Sequence, residues 1–93
     1  MDDLSRALKI HLGRPESPYP RSRPDEVRQA FNEDMVGNVE RLLTEVDALA
    51  VDWNSHTLAS AMQWVEAEMR RRHPELSSET IADLGWAFSY WNK

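Results

Sequence analysis

At 93 residues and 10.8 kDa, the chain has the size of one small domain, which leaves no room for a catalytic domain beside a regulatory one. Its 41% apolar and 29% charged residues lie outside the low-hydrophobicity, high-charge corner of disordered chains, and the lack of cysteine excludes a disulfide framework, a zinc-thiolate site and a cysteine nucleophile. Sixteen acidic residues against eleven basic ones set the formal net charge at -5, a field that repels nucleic acid and anionic membranes and attracts basic partners.

The opening stretch carries Asp2, Asp3, Arg6 and Lys9 among its apolar residues, the wrong pattern for a signal peptide, and no apolar run is long enough to span a bilayer. The expected location is therefore cytoplasmic. Asp2 or Asp3 caps a first helix in which Leu4, Leu8 and Leu12 recur at four-residue spacing beside Ala7, and Gly13 supplies the left-handed stop. Residues 13–23 form a proline-rich connector. Its Pro15, Pro18 and Pro20, with Pro24 just beyond, deny backbone donors and hold the chain extended, so it is expected as a loop strapped across a small bundle.

A second helix starts at Ser22 or Arg23, where Pro24 suits the first turn and Asp25 and Glu26 complement the helix dipole. At 100° per residue, Phe31, Met35, Val39, Leu42, Leu43, Val46, Leu49, Ala50 and Trp53 share an arc of about 120°. An unbroken helix over residues 24–53 would run roughly 45 Å, longer than any other helix here could cover, so a break is expected near Gly37 and Asn38.

Asn54 or Ser55 is the expected cap of a third helix, with Leu58, Ala61, Met62, Val65 and Met69 on its apolar face. It runs to His73 and is stopped by Pro74. Arg70, Arg71 and Arg72 fall in its last turn, where the dipole alone accounts for them. Ser77 caps the last helix, with Leu76 and Ile81 placed as a hydrophobic staple. Between residues 79 and 91 only Glu79, Thr80, Asp83 and Ser89 dilute the apolar character. Ile81, Leu84 and Phe88 take one face with Trp91 at its edge, while Trp86 and Tyr90 point nearly opposite. A helix apolar nearly all round is the central element of a domain or half of an interface. The predicted fold is all-α: one domain over residues 1–93, a small antiparallel bundle of four to five helices with a proline-rich loop after the first.

Reaction chemistry is sparse. Nucleophile-elbow, phosphate-loop, dinucleotide and zinc-protease patterns are absent, so neither an enzyme nor a cofactor is expected. Asp52 and His56 stand four apart, but a helix junction falls between them and favours a capping role. The stretch Leu76 to Gly85 has the look of the first helix of a helix-turn-helix, yet the turn glycine is missing where Trp86 stands, and no recognition helix follows. Neither nucleic acid nor a membrane is an expected partner.

Charge carries the functional signal. Residues 24–53 hold eight carboxylates against two arginines, while the rest of the chain is close to neutral. Solvated helix faces are often acidic for solubility alone. The expectation is nonetheless a protein-binding module in which Glu33, Asp34, Glu40 and Asp47, with Trp86 and Tyr90 as aromatic anchors, capture a basic protein. In size, charge and class such a domain resembles bacterial immunity proteins and antitoxins that neutralise basic nucleases. The alternative is a self-associating structural protein with Trp86 and Tyr90 packed across a two-fold axis.

Overall fold

The computed structural model describes residues 3–14 and 16–92, so Asp2 as a cap and Pro15 of the connector lie outside the described residues. Five helices follow in order: α1 (Asp3–Leu12), α2 (Pro24–Ala30), α3 (Glu33–Asp47), α4 (Leu58–Arg72) and α5 (Ser78–Trp91). The described residues contain no strand, and the chain is a small all-α helical bundle.

Several boundaries follow from local chemistry already visible in the sequence. Gly13 adopts φ +79, a backbone that a Cβ disfavours, and so ends α1. Pro24 opens α2. Ser77 accepts a hydrogen bond from Thr80 N at 3.1 Å and caps α5. The connector after α1 is held as a strap, with Ser17 N donating to Gly13 O at 2.7 Å and Arg21 N to Leu12 O at 2.9 Å.

Three boundaries differ from expectation. The break in the long apolar stripe falls at Phe31 and Asn32, and α3 runs straight through Gly37. Asn32 is extended and accepts from Met35 N at 2.9 Å, while Glu33 and Asp34 fill the first turn. A satisfied N-cap with two acidic residues behind it decides the start, whereas one glycine costs only about 1 kcal/mol inside a helix. Second, α3 ends at Asp47, so Leu49, Ala50 and Trp53 lie in an irregular segment. There the Trp53 ring stacks parallel to Phe88 of α5, centroids 6.1 Å apart. Third, the cap of α4 is Thr57, in a reciprocal capping box with Ser60. Asn54 and Ser55 are used instead in a turn around Asp52, which accepts from Asn54 N at 3.1 Å and from Ser55 Oγ at 3.0 Å.

The apolar core draws on every helix, including Leu8 and Leu12 of α1, Val27 of α2, Val39 and Val46 of α3, Val65 and Met69 of α4, and Ile81, Leu84 and Phe88 of α5. α5 packs against α4, α1 and α3, and α1 also meets α2 and α3. The near-continuous apolar character of α5 is thus explained by its central position, with α4 resting on one side of it.

Polar groups are buried with this core. The Asp83 carboxylate, 2% exposed, accepts from Lys9 Nζ at 2.9 Å and from Arg14 Nη1 at 2.7 Å, which ties α5 to the last turn of α1 and to the turn that follows it. Ser5 hydrogen-bonds with Thr80, and Ser5 and Ser77 hydroxyls lie 2.7 Å apart. These pairs satisfy groups that would otherwise be stranded in the apolar interior.

Candidate functional site

The four acidic residues singled out in the sequence all lie on α3, and all are exposed. They do not act as one cluster. Seven residues are about two helical turns and about 10.5 Å of rise, so Glu33, Glu40 and Asp47 form a row along one edge of the helix. Asp34, 100° further round, faces elsewhere. Within the row, Glu33 is neutralised by Arg28, whose hydrogen bonds hold its carboxyl below the usual range; Arg28 also reaches Asp25 at 2.5 Å. Among the described residues Glu40 and Asp47 have no ion pair.

Asp47 is placed against the electrostatics of its own helix. It is the last residue of α3, where aligned peptide dipoles present negative charge, and no basic residue lies in that turn. Glu45 in the same turn is compensated differently. Burial pushes its carboxyl up, and hydrogen bonds from His73 Nε2 at 2.8 Å and Arg72 Nη1 at 3.2 Å outweigh that and hold it below the usual value.

The row ends at a cleft of about 440 Å³. α1 contributes His11, the strap contributes Pro20 and Arg21, α3 contributes Leu43, Thr44 and Asp47, and the end of α5 contributes Trp91. Trp91 is 45% exposed. His11 lines the cleft while only 5% exposed, and its Nδ1 has no hydrogen-bond partner among the described residues. Burial lowers its pKa from the ordinary value of 6.5, against an opposing pull from Glu40. Arg21 is turned back onto the strap: its Nε donates to Ser17 Oγ at 3.3 Å, its Nη2 to Tyr19 Oη at 3.1 Å, and its guanidinium lies over the Tyr19 ring.

The two expected aromatic anchors stand together elsewhere on α5. Trp86 packs edge-on against Tyr90, centroids 5.4 Å apart, and both are half-buried. The Arg14 guanidinium, 4.5 Å from the ring centroid, covers Trp86. The ring that lines the cleft beside Asp47 is Trp91 instead. Sequence reasoning placed Trp91 only at the edge of a face and passed over His11, although His11 follows Ala7 by four and so shares the buried stripe of α1.

Asp52 and His56 do not pair. Asp52 organises its turn, and His56 Nδ1 lies 3.1 Å from Ser60 Oγ. Among the described residues there is no group of three or more metal-ligating side chains and no helix long and apolar enough to cross a membrane. No protein-family model, curated protein or solved structure matches the chain. The functional reading therefore stands on the side chains themselves.

Proposed function

We propose that this chain is a small acidic protein-binding module whose α3 edge captures a basic protein partner. The observation that carries the reading is Asp47: an exposed carboxylate at the negative end of its helix, without an ion-pair partner among the described residues. Such a placement is unfavourable in the free protein, and an incoming cation relieves it. Glu40 extends the same negative edge, and Trp91 offers an exposed ring beside it. Rim carboxylates of this kind raise association rates with cationic partners, and an aromatic anchor adds buried area. The immunity- or antitoxin-like role, inhibition of a basic protein, is the form of this reading that size, charge and helical class favour. The module acts by binding, and no reaction is assigned to it.

The test is a titration with a short Arg- and Lys-rich peptide and its Asp- and Glu-rich counterpart. Only the basic peptide is expected to bind, with affinity that falls steeply as salt rises. The triple variant E33Q/E40Q/D47N should weaken binding at least tenfold. The variant E16Q/D34N/E79Q, of the same net charge but off this edge, should leave it within about twofold. Equal losses in the two variants would reduce the effect to net charge and sink the proposal. For self-association through Trp86 and Tyr90, the half-burial of both rings and the Arg14 cover over Trp86 leave little free apolar area. A monomer in sedimentation is expected; a salt-insensitive dimer would favour that alternative instead.

A further inference from the structure

A ligand for the cleft at the end of α3 has to match three kinds of surface at once. Asp47 and Thr44 present hydrogen-bond acceptors, Leu43 and Pro20 present apolar walls, and Trp91 presents a ring that is 45% exposed. Its volume of about 440 Å³ falls within the range of roughly 300–1,000 Å³ typical of small-ligand clefts.

An anion is disfavoured by Asp47 itself and by Glu40 along the same edge. A neutral apolar group would leave Asp47 without a partner and, if it sealed the cleft, desolvated. A cation on a methylene stem satisfies all three surfaces: donors for the carboxylate and hydroxyl, a stem for the apolar walls, and positive charge for the face of the indole. The cleft's own cation does not serve, because Arg21 is held by Ser17 and Tyr19 on the strap.

His11 supplies an independent observation. It lines the cleft at 5% exposure, and its Nδ1 is a buried side-chain polar atom with no hydrogen-bond partner among the described residues. Burial disfavours the imidazolium. A neutral imidazole adds no positive charge to oppose a cation in the cleft.

We propose that this cleft is a subsite for one basic side chain of the partner, a guanidinium or alkylammonium group seated between the Asp47 carboxylate and the Trp91 ring. The inference rests on the basic-partner reading above and adds the position at which one cation is read.

The experiment is an NMR titration of the full chain with N-acetyl-arginine amide, N-acetyl-lysine amide and the uncharged N-acetyl-citrulline amide. The Trp91 indole resonance, assigned by its loss in W91F, and the His11 ring resonances are expected to shift saturably with either cation, with a Kd on the order of 1–10 mM, and not with citrulline. D47N should weaken the cation at least tenfold, and W91L should do so by several-fold; circular dichroism of each variant shows whether it is folded. Equal shifts with citrulline, shifts confined to the other tryptophans, or an unchanged Kd in folded D47N would each overturn the subsite. Should the basic peptide still bind through the α3 edge in that event, the module reading survives and the subsite alone fails. If neither the peptide nor the cations bind, both fall together.

Discussion

Arg14 Nη1 lies 2.7 Å from Asp83 Oδ1, and the same guanidinium covers the ring of Trp86 at 4.5 Å. One side chain in the turn just beyond α1 thus neutralises a buried carboxylate of α5 and shields an aromatic ring one turn further along. Lys9 shares the carboxylate at 2.9 Å. Asp83 is 2% exposed, whereas the side chains of Lys9 and Arg14 are 24% and 32% exposed, so the uncompensated burial belongs almost wholly to the acid.

Substituting Asp83→Asn should therefore destabilise the fold by about 2–3 kcal/mol, below the usual cost of breaking a fully buried pair because both cations can re-enter water. The melting temperature should drop by roughly 8–24 °C for a domain of this size. The exposed pair of Arg6 and Asp3, 2.9 Å apart, provides the contrast: Asp3→Asn should change stability by less than about 1 kcal/mol.

Gly85 marks the close approach of α4 to α5. A Cβ there would stand 2.5 Å from Glu66 Oε2 and 2.8 Å from its Cγ. Gly85→Ala gains about 1 kcal/mol of helix propensity but requires the Glu66 side chain to move, and the net result expected is destabilisation. In an E66A background the penalty of Gly85→Ala should shrink or reverse sign. Additive effects in this double-mutant cycle, measured by urea unfolding, would show that the two positions are not in conflict.

His73 and Glu45 link the end of α4 to α3. The hydrogen bond to Glu45 raises the His73 pKa above 6.5, while Glu45 is held below 4.5. A raised histidine contributes its full stability below its unfolded value and loses it as pH climbs through its folded value; a depressed carboxylate contributes above its unfolded value and loses it as pH falls through its folded one. The pair therefore stabilises most between about pH 4.5 and 6.5. The groups against His73 are Glu45 and Glu75, with Arg72 also bonded to Glu45. His73→Gln should lower the melting temperature at pH 5.5 more than at pH 8.5. The difference between variant and wild type, taken at each pH, removes the opposite trend from His11, whose lowered pKa makes the folded state less favourable as the solution acidifies.

Gly13 is the described residue whose backbone most clearly requires glycine, at φ +79. Gly13→Ala should cost about 1–2 kcal/mol, because an L-residue resists this conformation. The new Cβ would also meet Arg21 Cδ at 3.2 Å and Ser17 Cβ at 3.3 Å. Chemical denaturation measures the cost, and a neutral result would mean that the strap shifts to relieve the strain.

Some of the molecule was determined by short stretches of chain acting alone. Gly13 ends a helix and Pro24 begins one because each residue limits its own backbone, and Ser77 caps α5 because its hydroxyl reaches an amide three residues on. The periodic faces of α1, α4 and α5 named most of their buried apolar residues because one helix repeats every 3.6 positions. Within the site, the same periodicity sets Glu33, Glu40 and Asp47 on one edge. Tertiary structure decided what periodicity does not contain. Asp83 reads as a polar interruption until Lys9 and Arg14, some seventy residues away in sequence, arrive to neutralise it. The cleft is of the same kind: His11, Arg21, Asp47 and Trp91 have no shared spacing, and only the packing of α1, the strap, α3 and α5 brings a buried imidazole, an unpaired acid and an open indole to one place.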